Sequence, residues 1–154
     1  MRLLRFFAVV GLVTAGGIGL LSTAAAQNEG ADKTELEKFQ GKWVPVSTTI
    51  DGKALEEDEM KGRSTVVKGE KLILLYKDQE RGTASLKIDP SKSPAQIDTT
   101  AEDGPRQGGT SKGIYKFDGD TLTLCFVVGS KDRPTEFASN PGSGALLFVH
   151  KRAK

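Results

Sequence analysis

The chain holds one histidine, His150, and one cysteine, Cys125, so the side chains that most often supply a general base, a nucleophile or a transition-metal ligand occur once each. A Ser-His-Asp arrangement would have to be built around His150, which stands beside Lys151 and Arg152 near the chain end. In that setting it reads as a partly exposed residue of a last strand. Cys125 has no second thiol with which to pair and no neighbouring feature that lowers its pKa. It reads as a buried structural thiol, or else as a thiol lining a cavity. The acidic run Glu56-Glu57-Asp58-Glu59 does not suggest a cation site, because consecutive helical positions point in different directions. Asp118-Gly119-Asp120 begins like a calcium loop but lacks the spaced oxygen ligands that complete one. Asn140-Pro141-Gly142-Ser143-Gly144 lacks the spacing of a dinucleotide loop and precedes a strand instead of a helix. Acid–base work is left to Asp98, Glu102, Asp103 or Glu136, and only if the fold brings two of them together. These residues therefore predict a non-enzymatic protein with no catalytic residues, no metal site and no cofactor.

Arg133 is the polar residue with the most distinctive setting, next to the stiffening Pro134. Its fork could meet the carboxylate of a ligand at a rim. The competing reading pairs it locally with Asp132 or Glu136 to fix the loop.

The elements that would position these residues begin after an N-terminal export segment. Arg2 and Arg5 precede an apolar run over 6–21, followed by small residues with an A-x-A pattern at Ala24 and Ala26. Residues 1–26 read as a signal peptide, 27–33 as a polar, flexible linker and 34–154 as one domain. The run of 16 apolar-patterned residues is short for a membrane span and carries Gly11, Gly16, Gly17 and Gly19. Cleavage after Ala26 would leave Lys+Arg 20 against Asp+Glu 20, so the domain lacks the basic footprint of a nucleic-acid or anionic-lipid binder. With a single Cys, no internal disulfide can form, and stability must come from a packed core.

Leu36 and Phe39, three apart, predict a short helix capped by Asp32 or Thr34 and stopped at Gly41. A second short helix is expected over 54–61. Strands are expected at 43–50, 64–68, 71–76, 83–88, 95–100, 111–117, 121–128 and 146–152, with Lys77 to Arg81 as a charged turn. Asp118-Gly119 is the clearest hairpin turn. Eight short strands in sequential hairpins predict an all-β, mainly antiparallel, up-and-down barrel with one short helix before it and one after its first strand. Alternation puts Leu122, Leu124, Phe126 and Val128 on one face of the seventh strand, and Tyr115 and Phe117 on one face of the sixth. Tyr115, Phe117, Leu122, Leu124 and Phe126 are the candidate interior residues, with Arg133 at the rim. Trp43, Arg152 and Cys125 are assigned structural roles, the guanidinium of Arg152 covering the Trp43 ring if the last strand closes beside the first.

Phe39-Gln40-Gly41-Lys42-Trp43 resembles the G-x-W start of a lipocalin-type barrel. Together with Asp51-Gly52-Lys53, the stretch from Ile88 to Lys92, the stretch from Gly113 to Cys125 and Asp132-Arg133-Pro134-Thr135-Glu136-Phe137, it resembles a family of exported lipocalin-like domains of planctomycete bacteria. The resemblance implies a lipocalin-like fold and a periplasmic or extracellular setting, and brings no established activity with it. The lipocalins' second Thr-Asp-Tyr signature and their disulfides are missing. The expected function is an exported binding domain that takes a small apolar or amphipathic ligand in its barrel, with no nucleic acid and no membrane span after cleavage. The alternative is a filled barrel serving as a structural or protein-interaction module of the cell envelope through residues 129–145.

Overall fold

The computed structural model describes residues 22–127 and 132–154. In chain order the elements are α1 (Ser22–Phe39), β1 (Gly41–Ile50), β2 (Lys53–Ala54), α2 (Glu57–Met60), β3 (Arg63–Lys68), β4 (Lys71–Tyr76) and β5 (Gln79–Asp89). They continue with β6 (Ala95–Ala101), a 3-10 turn (Gly104–Arg106), β7 (Thr110–Asp118), β8 (Thr121–Val127) and β9 (Ala145–Arg152). Strand β1 and strands β3 to β9 pair antiparallel in sequence order, and β9 returns to β1, closing an eight-stranded up-and-down barrel. The two-residue β2 only lengthens the tip of β1. Most of the signal-peptide reading and Val128 lie outside the described residues. Among the described residues no helix is long and apolar enough to cross a membrane.

All eight expected strands are present, and the departures sit at turns and at the N-terminal helix. Helix α1 runs back to Ser22 without a break, through 27–33, where a linker was expected. No proline interrupts this stretch, and a helix anchored at Phe39 propagates at one hydrogen bond per added residue. Thr34 lies inside the helix and donates its hydroxyl to Gly30 O (3.1 Å), so it is not a cap. The second helix shrinks to Glu57–Met60, because Lys53 and Ala54 pair with Ile50 and Thr49. Glu59 accepts from the Glu56 backbone N–H (2.8 Å), so part of the acidic run holds that short helix in place. Strand β5 starts at Gln79 because the turn is only Lys77-Asp78, both with positive φ (50° and 60°). That is the geometry of a tight hairpin turn made without glycine, which its composition conceals.

The two ends of the barrel differ. At one end Phe39, the last residue of α1, is 1% exposed and packs edge-on against Tyr115 (4.9 Å) and Phe117 (4.8 Å). Trp43, also 1% exposed, completes this aromatic floor and donates its indole N–H to Phe39 O (2.7 Å). The chain passes from helix to floor through Gly41, whose φ of 106° disfavours any side chain. Gln40 ties the helix end to the β3–β4 turn by exchanging hydrogen bonds with Gly69.

At the other end the barrel opens. Strand β1 pairs with β3 only from Gly41 to Trp43, whereas it pairs with β9 from Trp43 to Ile50. The separation follows from Pro45, which has no N–H to give the ladder, and from the register shift between Pro45 and Ser47 that leaves Val46 unpaired. Beyond that bulge, β1 and the start of β3 leave a gap in the wall.

Candidate functional site

Four spaces adjoin at this opening: a charged outer cleft of about 670 Å³ between β1 and α2, lined by Val46, Glu57, Asp58, Lys61, Arg63 and Asp78 among others, and three more apolar ones. An inner chamber of about 260 Å³ runs above the floor, lined by Trp43, Leu86, Ile97, Leu122, Leu124 and Phe126 among others. A groove of about 550 Å³ lies at the gap between β1 and β3–β4 and shares Thr65, Leu74, Leu146, Phe148 and His150 with the chamber. A third space of about 570 Å³, by the β6–β7 loop, shares Ala84, Thr99, Arg106 and Ser111 with it. The chamber alone falls just below the usual ~300 Å³ of a small-molecule site. The groove outside it is larger, and the two share five lining residues.

The predicted interior residues separate into two groups. Leu122, Leu124 and Phe126 line the chamber. Tyr115 and Phe117 do not line it, since the ring of Phe39 packs against both and makes them part of the floor. The Tyr115 hydroxyl is buried near Glu35 without a well-aligned hydrogen bond, and burial, followed by the charges of Glu35 and Asp32, pushes its pKa up. Phe126 takes its place in the wall because its partner across the strands is Gly113. A Cβ on Gly113 would lie 2.5 Å from the Phe126 ring, so glycine is required there for the ring to lie against the backbone.

Trp43 and Arg152 pair as expected, the guanidinium carbon lying 4.3 Å from the ring centroid. Arg152 also donates to the carbonyls of Gln40 (2.6 Å) and Lys38 (2.7 Å), so one side chain covers the indole and satisfies the carbonyls left free at the end of α1.

Arg133 is not at the rim of the mouth. Its Nη1 donates to Gly113 O (2.6 Å) and Ile97 O (3.1 Å) and lies 2.7 Å from Asp98 Oδ1. The Asp98 contact has the distance of an ion pair without the angle of a hydrogen bond, which leaves Oδ1 unsatisfied in that sense. Neither local acid is the partner, and Arg133 instead fastens the β8–β9 connection to the outside of β6 and β7. Under that connection Cys125 is 0% exposed, in a small second core with Ile114 and Ala145, against which Phe137 and Leu147 pack. Burial pushes the Cys125 thiol up in pKa, and its Sγ faces Ala138 O at 3.5 Å. The thiol does not line the chamber.

Three of the candidate acids are engaged with separate partners and Glu136 is exposed. Glu102 pairs with Lys71 (3.2 Å), Asp103 accepts from the backbone and hydroxyl of Thr83, and Asp98 faces Arg133. Among the described residues no three His, Cys, Asp or Glu side chains come together as a metal site would require.

Sequence reasoning missed His150. It is 9% exposed, not partly exposed, and it faces the groove and chamber in line with Leu146 and Phe148, whose ring stacks on it at 5.9 Å. Burial lowers its pKa to about 4, so the imidazole is neutral at neutral pH. The period-two run Leu146, Phe148, His150 carried this information, and the adjacent Lys151 and Arg152 obscured it. Leu74, 47% exposed, and the arginines Arg63, Arg81 and Arg106 at the mouth were missed as well.

The site thus defines a closed antiparallel barrel with an aromatic floor, an apolar chamber and a mouth that opens through one wall. No family model, curated protein or solved structure matches the chain.

Proposed function

We propose that the protein is an exported, non-enzymatic, lipocalin-like domain that binds a small apolar or amphipathic ligand inside its barrel. The observation that carries this reading is the apolar chamber above Trp43, adjoining a groove at the gap between β1 and β3. Leu74, at 47% exposure, lines both the chamber and the groove, where an apolar ligand would cover it. The interior lining offers contact area and few polar groups, which suits binding by burial of apolar surface. The envelope-contact alternative has less support, since Phe137 packs inward onto the second core.

The neutral fluorescent probe N-phenyl-1-naphthylamine tests the reading. Saturable binding to the intact protein is expected, as is loss of that binding in Ala84→Phe, which fills the chamber from β5. Equal probe binding by a correctly folded Ala84→Phe variant would place the probe elsewhere and remove the reading. Export is tested separately: N-terminal sequencing of the protein recovered from producing cells is expected to begin at Gln27.

A further inference from the structure

Four polar or charged residues are buried among the described residues, and three of them gather at one place. The fourth, Thr83, is satisfied, its hydroxyl donating to Asp103 Oδ2 (2.9 Å). Thr48, Ser64 and His150, at 6%, 7% and 9% exposure, all line the groove at the gap between β1 and β3. Among the described residues the hydroxyls of Thr48 and Ser64 make no hydrogen bond, and His150 Nδ1 is buried without a partner. Buried polar groups are nearly always hydrogen-bonded, so three unpaired ones at a single opening point to an occupant that pairs them.

Three strands supply these groups. Pro45 stands opposite His150 and Thr48 opposite Phe148, so the imidazole and the Thr48 hydroxyl are diagonal neighbours across β1 and β9. Ser64 comes from β3 on the far side of the gap, next to Thr65, which lines both groove and chamber. The ladder between β1 and β3 ends at Trp43 and Thr65, short of all three groups. The Phe148 ring stacks on His150 and fixes its orientation. Burial keeps the imidazole neutral at neutral pH, so its two nitrogens are one donor and one acceptor. Charges of both signs surround the opening: Arg63 and Arg81 line the groove, and the outer cleft that shares Arg63 and Ser64 with it carries lysines together with Glu57, Asp58 and Asp78.

We propose that the gap in the wall is a hydroxyl-recognition site, in which His150, Thr48 and Ser64 hydrogen-bond the hydroxyl of a neutral ligand whose apolar body lies in the adjoining chamber. A hydroxyl donates one bond and accepts others, so it can pair with a ring nitrogen and a Thr or Ser hydroxyl at once. An alkyl group in the same place would leave all three protein groups unpaired, and a carboxylate would give up its hydration to face neutral partners. The site rests on the binding function proposed above.

Displacement of N-phenyl-1-naphthylamine at neutral pH by 2-naphthalenemethanol, 2-ethylnaphthalene and 2-naphthoate compares head groups on one apolar body. A purely apolar chamber would prefer the ethyl analogue, because burying a hydroxyl without a partner is unfavourable. The site predicts the reverse, with the alcohol bound about threefold or more tightly than the ethyl analogue and more tightly than the carboxylate. In His150→Leu the ratio of alcohol to ethyl affinity is expected to fall by about tenfold, and in Thr48→Val by about threefold, with the circular dichroism of the barrel retained. Thr48→Val carries the test alone if His150→Leu does not fold. An ethyl analogue or a carboxylate that binds as tightly as the alcohol, or an unchanged ratio in the folded variants, would overturn the hydroxyl site while leaving the chamber standing. Failure of the fluorescent probe and all three competitors to bind would overturn both.

Discussion

At the scale of single residues, the floor divides its work between Trp43 and Arg152. Trp43 is 1% exposed and hydrogen-bonded, so Trp43→Ala is expected to cost about 3 to 5 kcal/mol, as for other buried aromatic truncations. Arg152→Ala removes a cation–π contact and two bonds to helix-end carbonyls at a half-buried site, and is expected to cost about 1 to 3 kcal/mol. Chemical denaturation of both variants checks the order, which a larger loss for Arg152→Ala would reverse. Tyr115→Phe is expected to leave stability within about 1 kcal/mol or to raise it, because the buried hydroxyl it deletes makes no well-aligned hydrogen bond. His150 carries a pH signature. Its pKa falls from the ordinary imidazole value of 6.5 to about 4 on folding, so below 6.5 the unfolded chain takes up a proton that the folded one refuses. Stability contributed by this group is therefore complete above pH 6.5 and lost as pH falls toward 4, by roughly 3 kcal/mol in all. The groups packed on it, Phe148, Leu122 and Pro45, do not titrate, and the charged residues lining the groove it faces are Arg63 and Arg81. Urea unfolding of wild type and His150→Phe between these pH values is expected to show a slope in the first that the second lacks.

At the scale of elements, the β8–β9 connection is held by a contact that no local reading of the sequence finds. Arg133 reaches past Asp132 and Glu136 to two carbonyls and a carboxylate on β6 and β7, because the barrel brings those strands under the loop. Arg133→Ala is expected to destabilise by about 1 to 3 kcal/mol through the carbonyls and the Asp98 charge left without it. Limited proteolysis is expected to show faster cleavage within 132–144 in that variant, and unchanged cleavage would deny Arg133 its fastening role. The strands themselves were legible, since alternation and turn residues act locally. The Lys77-Asp78 turn was not, because its left-handed backbone is imposed by the register of β4 and β5 without a glycine to announce it. The length of α1 was obscured for the opposite reason, since a polar stretch without apolar period reads as a linker even where the backbone continues a helix.

At the scale of the whole molecule, function depends on where the wall fails to close. Leu122, Leu124 and Phe126 could be placed inside from period alone, but period could not distinguish a filled floor from an open chamber, and so it grouped Tyr115 and Phe117 with them. The distinction arises from α1, which drives Phe39 into one end, and from Pro45 and its bulge, which part β1 from β3 at the other. Pro45 and the helix carrying Phe39 are both visible in the sequence, but what each does at its end of the barrel is a long-range consequence of closure. Trp43, the chain's single tryptophan, lies at the junction of floor and chamber and therefore reports on whatever enters. Quenching of its emission by 10-bromo-1-decanol, whose bromine is carried at the end of an apolar chain, tests the central claim most directly. Saturable quenching that disappears in Ala84→Phe is the predicted result, and emission unaffected by the probe, or equal quenching in both proteins, would contradict a ligand chamber above Trp43.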